Sequence, residues 1–95
     1  GMPIVPGQVL IAPGDFHLTA TRVGNSIKAQ LTQSPHENGC RPAADVLFRS
    51  AHSVWGGNAL VLVMTGMGQD GLVGTRPLHA HGARVAAQDE ASSVV

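Results

Sequence analysis

Apolar and polar positions alternate along the first third of the chain. Leu18 and Ala20 alternate with His17, Thr19 and Thr21, and after Val23-Gly24-Asn25-Ser26 the alternation resumes as Ile27, Ala29 and Leu31 against Lys28 and Gln30. A two-residue period on both sides of a Gly-Asn turn predicts a β-hairpin. Upstream, residues 8–12 (QVLIA) form a short, mostly apolar run stopped by Pro13-Gly14-Asp15, which predicts a strand ending in a turn. Residues 32–41 are polar and carry Pro35, Asn38 and Gly39, so a loop is expected there.

From Pro42 the period changes. Ala44, Leu47, Phe48, Ala51 and Trp55 recur at helical spacing and make one apolar stripe. Pro42 suits the first helical turn, and Gly56-Gly57 supplies the stop. Asp45 and Arg49, one turn apart, are expected to pair on the solvated side, worth only about 0.2–0.5 kcal/mol. His52 continues that wet stripe, and Trp55 is expected in the core. Residues 59–64 (ALVLVM) are an unbroken apolar run of strand length, which predicts a parallel strand buried on both faces. A glycine-rich loop follows over residues 65–71, then a short helix between Gly71 and His81, ended by Gly82. Pro77 should kink that helix or delay its start, with Thr75 as N-cap. Residues 83–87 form the next strand. A strand–helix–strand unit of this kind crosses over right-handedly. The fold class is therefore α/β, a doubly wound, Rossmann-like three-layer sheet, mostly parallel, with an antiparallel hairpin attached.

Composition narrows the function. Ninety-five residues allow one domain at most, and a lone core of that size is marginal. A charged fraction of only 13% suggests that some surface is meant to be covered, which favours a partial domain or a homo-oligomer with exposed strand edges over a self-sufficient monomer. The six Lys and Arg residues are scattered and balanced by six acids, so no nucleic-acid partner is expected. Cys40 is the sole cysteine and gives no sign of an oxidising compartment. No apolar run is long enough to span a bilayer, and residues 1–6 lack signal-peptide character, so the expected location is cytoplasmic, without membrane insertion.

In open α/β sheets ligands bind beyond the carboxyl ends of the strands, which makes residues 65–71 the first place to look for a site. Gly66-x-Gly68-x-x-Gly71 matches the dinucleotide fingerprint, with Asp89 near the position of a ribose-binding acid, so a dinucleotide-binding module is one reading. Asp70 opposes it, because a carboxylate beside the helix start would repel the pyrophosphate by on the order of several kcal/mol. A carboxylate there is, however, well placed to stay ionised and to orient a histidine as the third member of a nucleophile–base–acid triad. Glycine N–H groups beside it could meet an oxyanion. On residue chemistry alone, a plain cap on the following helix stands level with catalysis for Asp70.

Residues 62–71 (LVMTGMGQDG) resemble the "LTGMG-x-DG" segment of the chemotaxis protein-glutamate methylesterase (CheB) family. Three further segments are similar to motifs of that family in the same order. Residues 9–18 (VLIAPGDFHL) resemble its "vyIAPgd-x-HL", residues 38–51 its "NGhRPsvDvLFrSa", and residues 87–92 its "aQdeaS". The resemblance implies a doubly wound serine hydrolase that removes methyl esters from glutamate side chains of chemoreceptors, releases methanol and deamidates certain glutamines, with no cofactor or metal. It implies that Asp70 is the triad acid and that the main-chain N–H of Met67 helps form the oxyanion hole. It further implies that the nucleophilic serine and catalytic histidine lie upstream of residue 1. Residues 1–95 are then a single partial domain, the C-terminal portion of the catalytic domain, and inactive alone. The partners implied are methyl-accepting receptors and, in the parent protein, a response-regulator receiver domain. Cys40 stands where the family often has histidine, Ala43 where it often has serine, and Arg76-Pro77 interrupts a helix usually continuous.

The remaining candidates read more simply. His36 with Cys40 and His79 with His81 lack the paired spacing of a structural zinc site, so no metal is expected. His17 is expected to make local hydrogen bonds, and Arg41 to secure the polar loop. Asp89 and Glu90 are loop or cap residues under the hydrolase reading. A non-catalytic, self-associating interaction module is the remaining alternative.

Overall fold

The computed structural model describes residues 2–64 and 70–87. Among these, the elements run β1 (Met2–Pro3), β2 (His17–Val23), β3 (Ser26–Thr32), α1 (Ala44–Trp55), β4 (Leu60–Val63), α2 (Leu72–Ala80) and β5 (Arg84–Ala87). β2 and β3 are the expected hairpin, paired antiparallel from His17↔Thr32 to Val23↔Ser26. Gly24 has φ +61°, the positive value that a two-residue hairpin turn needs at its first central position. β1 adds antiparallel to the other edge of β3, giving the order β1-β3-β2. Residues 8–12 are not a strand: Val9 and Ile11 stand 87% and 86% exposed. A strand exists only through its ladder, and no described element pairs with this run, so apolar composition alone does not make it one.

β2 is an edge strand, and α1 lies against it. The Ala20 N–H donates to Ser50 Oγ at 2.9 Å, and Arg22 Nη2 donates to the Val54 carbonyl at 3.2 Å. The helix thus satisfies a strand-edge donor that would otherwise stay unpaired. α1 carries the predicted stripe, with Leu47, Phe48, Ala51 and Trp55 half-buried, and Gly56 ends it at φ +59° with its N–H on the His52 carbonyl. Pro42 stands outside the first turn, because the N-cap is Ala43, in extended backbone.

β4 and β5 pair in parallel from Leu60↔Arg84 to Val63↔Ala87, connected through α2. Val61, Leu78 and Ala83 are buried at their centre, with Phe48, Ala59, Val63 and Val85 packed around them. Burying Leu78 completely contributes about 1.5–3 kcal/mol. The expectation of a strand covered on both faces is corrected: Val61 is buried, but Leu60 and Leu62 are exposed, so among the described residues the layer lies on one face only. The unbroken apolar run marks a two-sided strand, and only one of its sides is occupied here.

α2 does not start late at Pro77. It begins at Leu72, and the Thr75 N–H already closes a helical bond to the Gly71 carbonyl at 3.2 Å, so Thr75 is not the N-cap. In so short a helix the proline removes one bond, to the carbonyl of Val73 on the solvated side, where water can replace it. Gly74 lets α2 approach α1 closely. A Cβ there would stand 2.8 Å from Phe48 Cβ and 2.9 Å from Asp45 Oδ1. Gly74→Ala is expected to destabilise the fold by about 1–3 kcal/mol despite alanine's better helix propensity. An unchanged urea midpoint would contradict the tight crossing. Among the described residues no helix is long and apolar enough to cross a membrane.

Candidate active site

Helix α1 begins without a capping side chain of its own, since its N-cap is Ala43. Its first N–H groups are met from a distance. Asp70 Oδ2 accepts from the Ala44 N–H at 2.5 Å, and Asp70 Oδ1 accepts from the Asp45 N–H at 3.0 Å. The compensation runs in both directions. Asp45 is 1% exposed, and its Oδ1 accepts the Gly74 N–H, in the first turn of α2, at 2.6 Å. Each helix start is therefore capped by the acid that belongs to the other, where the partial positive charge of the helix end stabilises a carboxylate. Asp70 does cap a helix, but it is α1 and not the one that follows it in sequence.

Two buried carboxylates so close need a donor between them. Asn38 supplies it: Nδ2 donates to Asp45 Oδ2 at 2.9 Å and to Asp70 Oδ1 at 3.1 Å, using both amide hydrogens. Among the described residues no buried side-chain nitrogen or oxygen lacks a partner. The expected Asp45–Arg49 pair on the wet side does not form. Arg49 turns instead to Glu37 in a two-pronged ion pair, with Nη2–Oε1 at 2.7 Å. Helical spacing brought Asp45 and Arg49 within reach of each other, but the α1–α2 crossing buried Asp45 first.

Burial pushes the Asp70 carboxyl up, yet the hydrogen bonds from Ala44, Asp45, Asn38 and Gly71 outweigh it and hold the group below the usual carboxylate range. Asp70 is thus an anion with one oxygen, Oδ1, doubly engaged and the other, Oδ2, bonded to the Ala44 N–H. The side chain is 8% exposed and forms part of the wall of a cavity of about 380 Å³, together with Ala12, Leu18, Cys40, Pro42, Ala43, Ala44 and Leu47.

The segment that carries Asn38 is tied down on both sides. Glu37 and Cys40 exchange backbone hydrogen bonds at 3.0 and 2.9 Å around Asn38 and Gly39, whose φ values of +55° and +73° make a turn of the kind Asn-Gly favours. Arg49 holds Glu37, lowering its pKa, against a smaller opposing effect of burial. Arg41 donates to Asp15 Oδ1 and to the carbonyls of Gln33 and Ser34, so it secures the polar loop as expected. His17, fully buried, does not make local bonds. Its Nδ1 accepts the Ala43 N–H at 3.2 Å, which leaves Nε2 to donate to the Pro35 carbonyl at 3.0 Å. It bridges the loop and the start of α1 across positions far apart in sequence.

The other histidines lie elsewhere. His52 is not simply solvated: its Nε2 is 3.1 Å from His81 Nδ1, with ring centroids 4.6 Å apart. His36 and His79 are exposed. Met67, Gly66, Gly68, Asp89 and Glu90 lie outside the described residues. Sequence reasoning missed Asn38 and Asp45 as site residues. The signals were present: an Asn-Gly pair inside a polar loop, and a helix start spelled Pro-Ala-Ala-Asp, with no capping side chain at Ala43.

Known proteins match the chain along its whole length. The family model described as CheB methylesterase matches residues 1–95. A protein-glutamate methylesterase/protein-glutamine glutaminase of a Nocardioides species is 53% identical over 93 residues, covering 98% of this chain and 25% of that protein. A protein of the same description from Trichodesmium erythraeum is 48% identical over 97% of this chain and 26% of its own length. The crystal structure of the Thermotoga maritima CheB methylesterase catalytic domain superposes with a TM-score of 0.88 at 34% identity, over 95% of this chain and 48% of that one. The present chain thus spans about a quarter of the curated relatives it matches. Its parallel β4–α2–β5 unit and antiparallel hairpin make it a partial α/β domain that matches 48% of the Thermotoga chain.

Proposed function

Because this chain belongs to the CheB methylesterase family, we propose that it is the C-terminal portion of a serine hydrolase domain that demethylates glutamate methyl esters on chemotaxis receptors and deamidates receptor glutamines. The observation that carries this reading is Asp70: an ionised carboxylate fixed on the start of α1, beyond a parallel strand, facing a cavity. In the proposed cycle, a serine and a histidine from another part of the full-length protein complete the triad. The serine hydroxyl attacks the ester carbonyl, the histidine takes its proton and passes it to the departing methoxide, and methanol leaves. Water then releases the glutamate by the same path in reverse roles. Asp70 holds the histidine in the correct tautomer and stabilises its cation. The main-chain N–H of Met67 is proposed as an oxyanion donor.

In the full-length protein we place this segment beside a phosphorylatable receiver domain, in the cytoplasm, acting on methyl-accepting receptors. The full-length protein is expected to release methanol from methylated receptor, whereas residues 1–95 alone release none; turnover by the isolated segment would refute the assignment of serine and histidine to another part. With Leu60 and Leu62 uncovered, the isolated segment should self-associate, and light scattering showing only monomer would count against that.

A further inference from the structure

We propose that Asn38 is a positioning residue for the reaction, setting the orientation of the Asp70 carboxylate by bridging it to Asp45; this rests on the reading of Asp70 as triad acid. The bridge has a geometric basis. Asn38 Nδ2 reaches Asp70 Oδ1 at 3.1 Å and Asp45 Oδ2 at 2.9 Å, so one amide holds both acids at fixed separation. Without it, two carboxylates would face each other with no hydrogen between them, and Asp70 would swing toward its remaining donors, the N–H groups of Ala44, Asp45 and Gly71. Those donors fix the height of the carboxylate on the helix end. Asn38 fixes its rotation, because it ties Oδ1 to the Asp45 carboxylate as well as to the helix end.

Asn38 is itself held for this task. Its φ of +55° is tolerated by asparagine and glycine, and the flanking Glu37 is anchored to Arg49 of α1 and to the Cys40 backbone. No bulkier donor would fit that backbone at equal cost, and glycine would keep the turn while deleting the amide. The charged groups near the pair are Arg49 on α1 and Glu37 on the turn, and Asn38 is, among the described residues, the side chain that donates to both acids.

Asn38→Gly separates the amide from the turn. In the full-length methylesterase, with methanol release from methylated receptor as the readout, this variant should lower kcat about 10–100-fold at nearly unchanged KM, the size expected for a catalytic group slightly misplaced. The double variant Asn38→Gly/Asp70→Asn should be no slower than Asp70→Asn alone, because a residue that acts through Asp70 has nothing left to position. A purely structural residue would instead multiply its loss on top of Asp70→Asn, and that result overturns the proposal, as does a normal kcat in Asn38→Gly. If Asp70→Asn itself were near normal, the triad reading would fail first and this inference with it, a result distinct from failure of Asn38→Gly alone. Should Asn38→Gly not fold, Asn38→Asp keeps the shape but replaces the donors by acceptors, and must show the same loss in kcat.

Discussion

Exchanging Asp70 for asparagine in the full-length protein is expected, on the proposed function, to lower kcat by about 10³–10⁴-fold, with KM much less affected. Asparagine nearly matches the shape of the side chain. It cannot stabilise a histidine cation, and its amide hydrogens favour the wrong imidazole tautomer. The same change weakens the start of α1, since one of the two oxygens that accept from Ala44 and Asp45 becomes a donor. Charge-assisted bonds exceed neutral ones, so a loss of about 1–2 kcal/mol in stability accompanies the loss of activity. The two effects are separable by pH. The native carboxyl is held below its unfolded value, so its stabilising contribution is complete above about pH 4 and disappears as the pH falls through the lowered folded value. Asp15 and Glu37 are lowered as well and add to the acid lability. Urea midpoints of the wild type should therefore drop more on acidification than those of Asp70→Asn. Parallel acid curves for the two proteins, or turnover within tenfold of wild type, would refute the double role given to Asp70.

The largest stability change is expected at His17, away from the acids but on the same helix start. His17→Ala empties a site with no solvent exposure and orphans the Ala43 N–H and the Pro35 carbonyl together. A cavity term and one buried unpaired donor, the Ala43 N–H, put the cost at about 3–5 kcal/mol, a large share of the stability of any small domain. His17→Asn should recover part of this, because its side-chain oxygen lies near the place of Nδ1 and can still accept from Ala43. Chemical denaturation measures both; a loss under about 1 kcal/mol for alanine would mean that the loop and α1 are held by other contacts. Since Ala43 leads directly into the N–H groups that Asp70 accepts from, His17 supports the site without belonging to its chemistry.

The hairpin, α1, β4, α2 and β5 were legible because each rests on neighbours in sequence. A two-residue or helical period, a Gly-Asn turn and a Gly-Gly stop act within a few positions. Asp70 was singled out as a site candidate from its glycine-rich surroundings and its resemblance to a family motif, and the structure places it in the wall of a cavity. Three expectations failed for one reason. Residues 8–12 have the apolar run of a strand but no ladder partner among the described residues, Asp45 has the spacing of a surface ion pair but lies 1% exposed, and Leu60 and Leu62 have the composition of a two-sided strand but stand uncovered. Sequence pattern states what a residue can do, and packing selects which of its options is taken.

By itself the amino-acid order determined the kinds of element, their sequence along the chain and the parallel β4–α2–β5 unit, since these follow from local backbone preferences and the periodicity of burial. Only the tertiary structure decided that Asp70 caps α1 and Asp45 caps α2, that Asn38 joins them, and that His17 holds the Ala43 N–H. Those bonds link positions 25 to 32 residues apart for the Asp70 contacts and 26 for His17. A helix end exposes donors that any suitable acceptor can satisfy, so the identity of the partner is settled by which groups the packed helices bring within 3 Å, and not by anything written beside them in the chain.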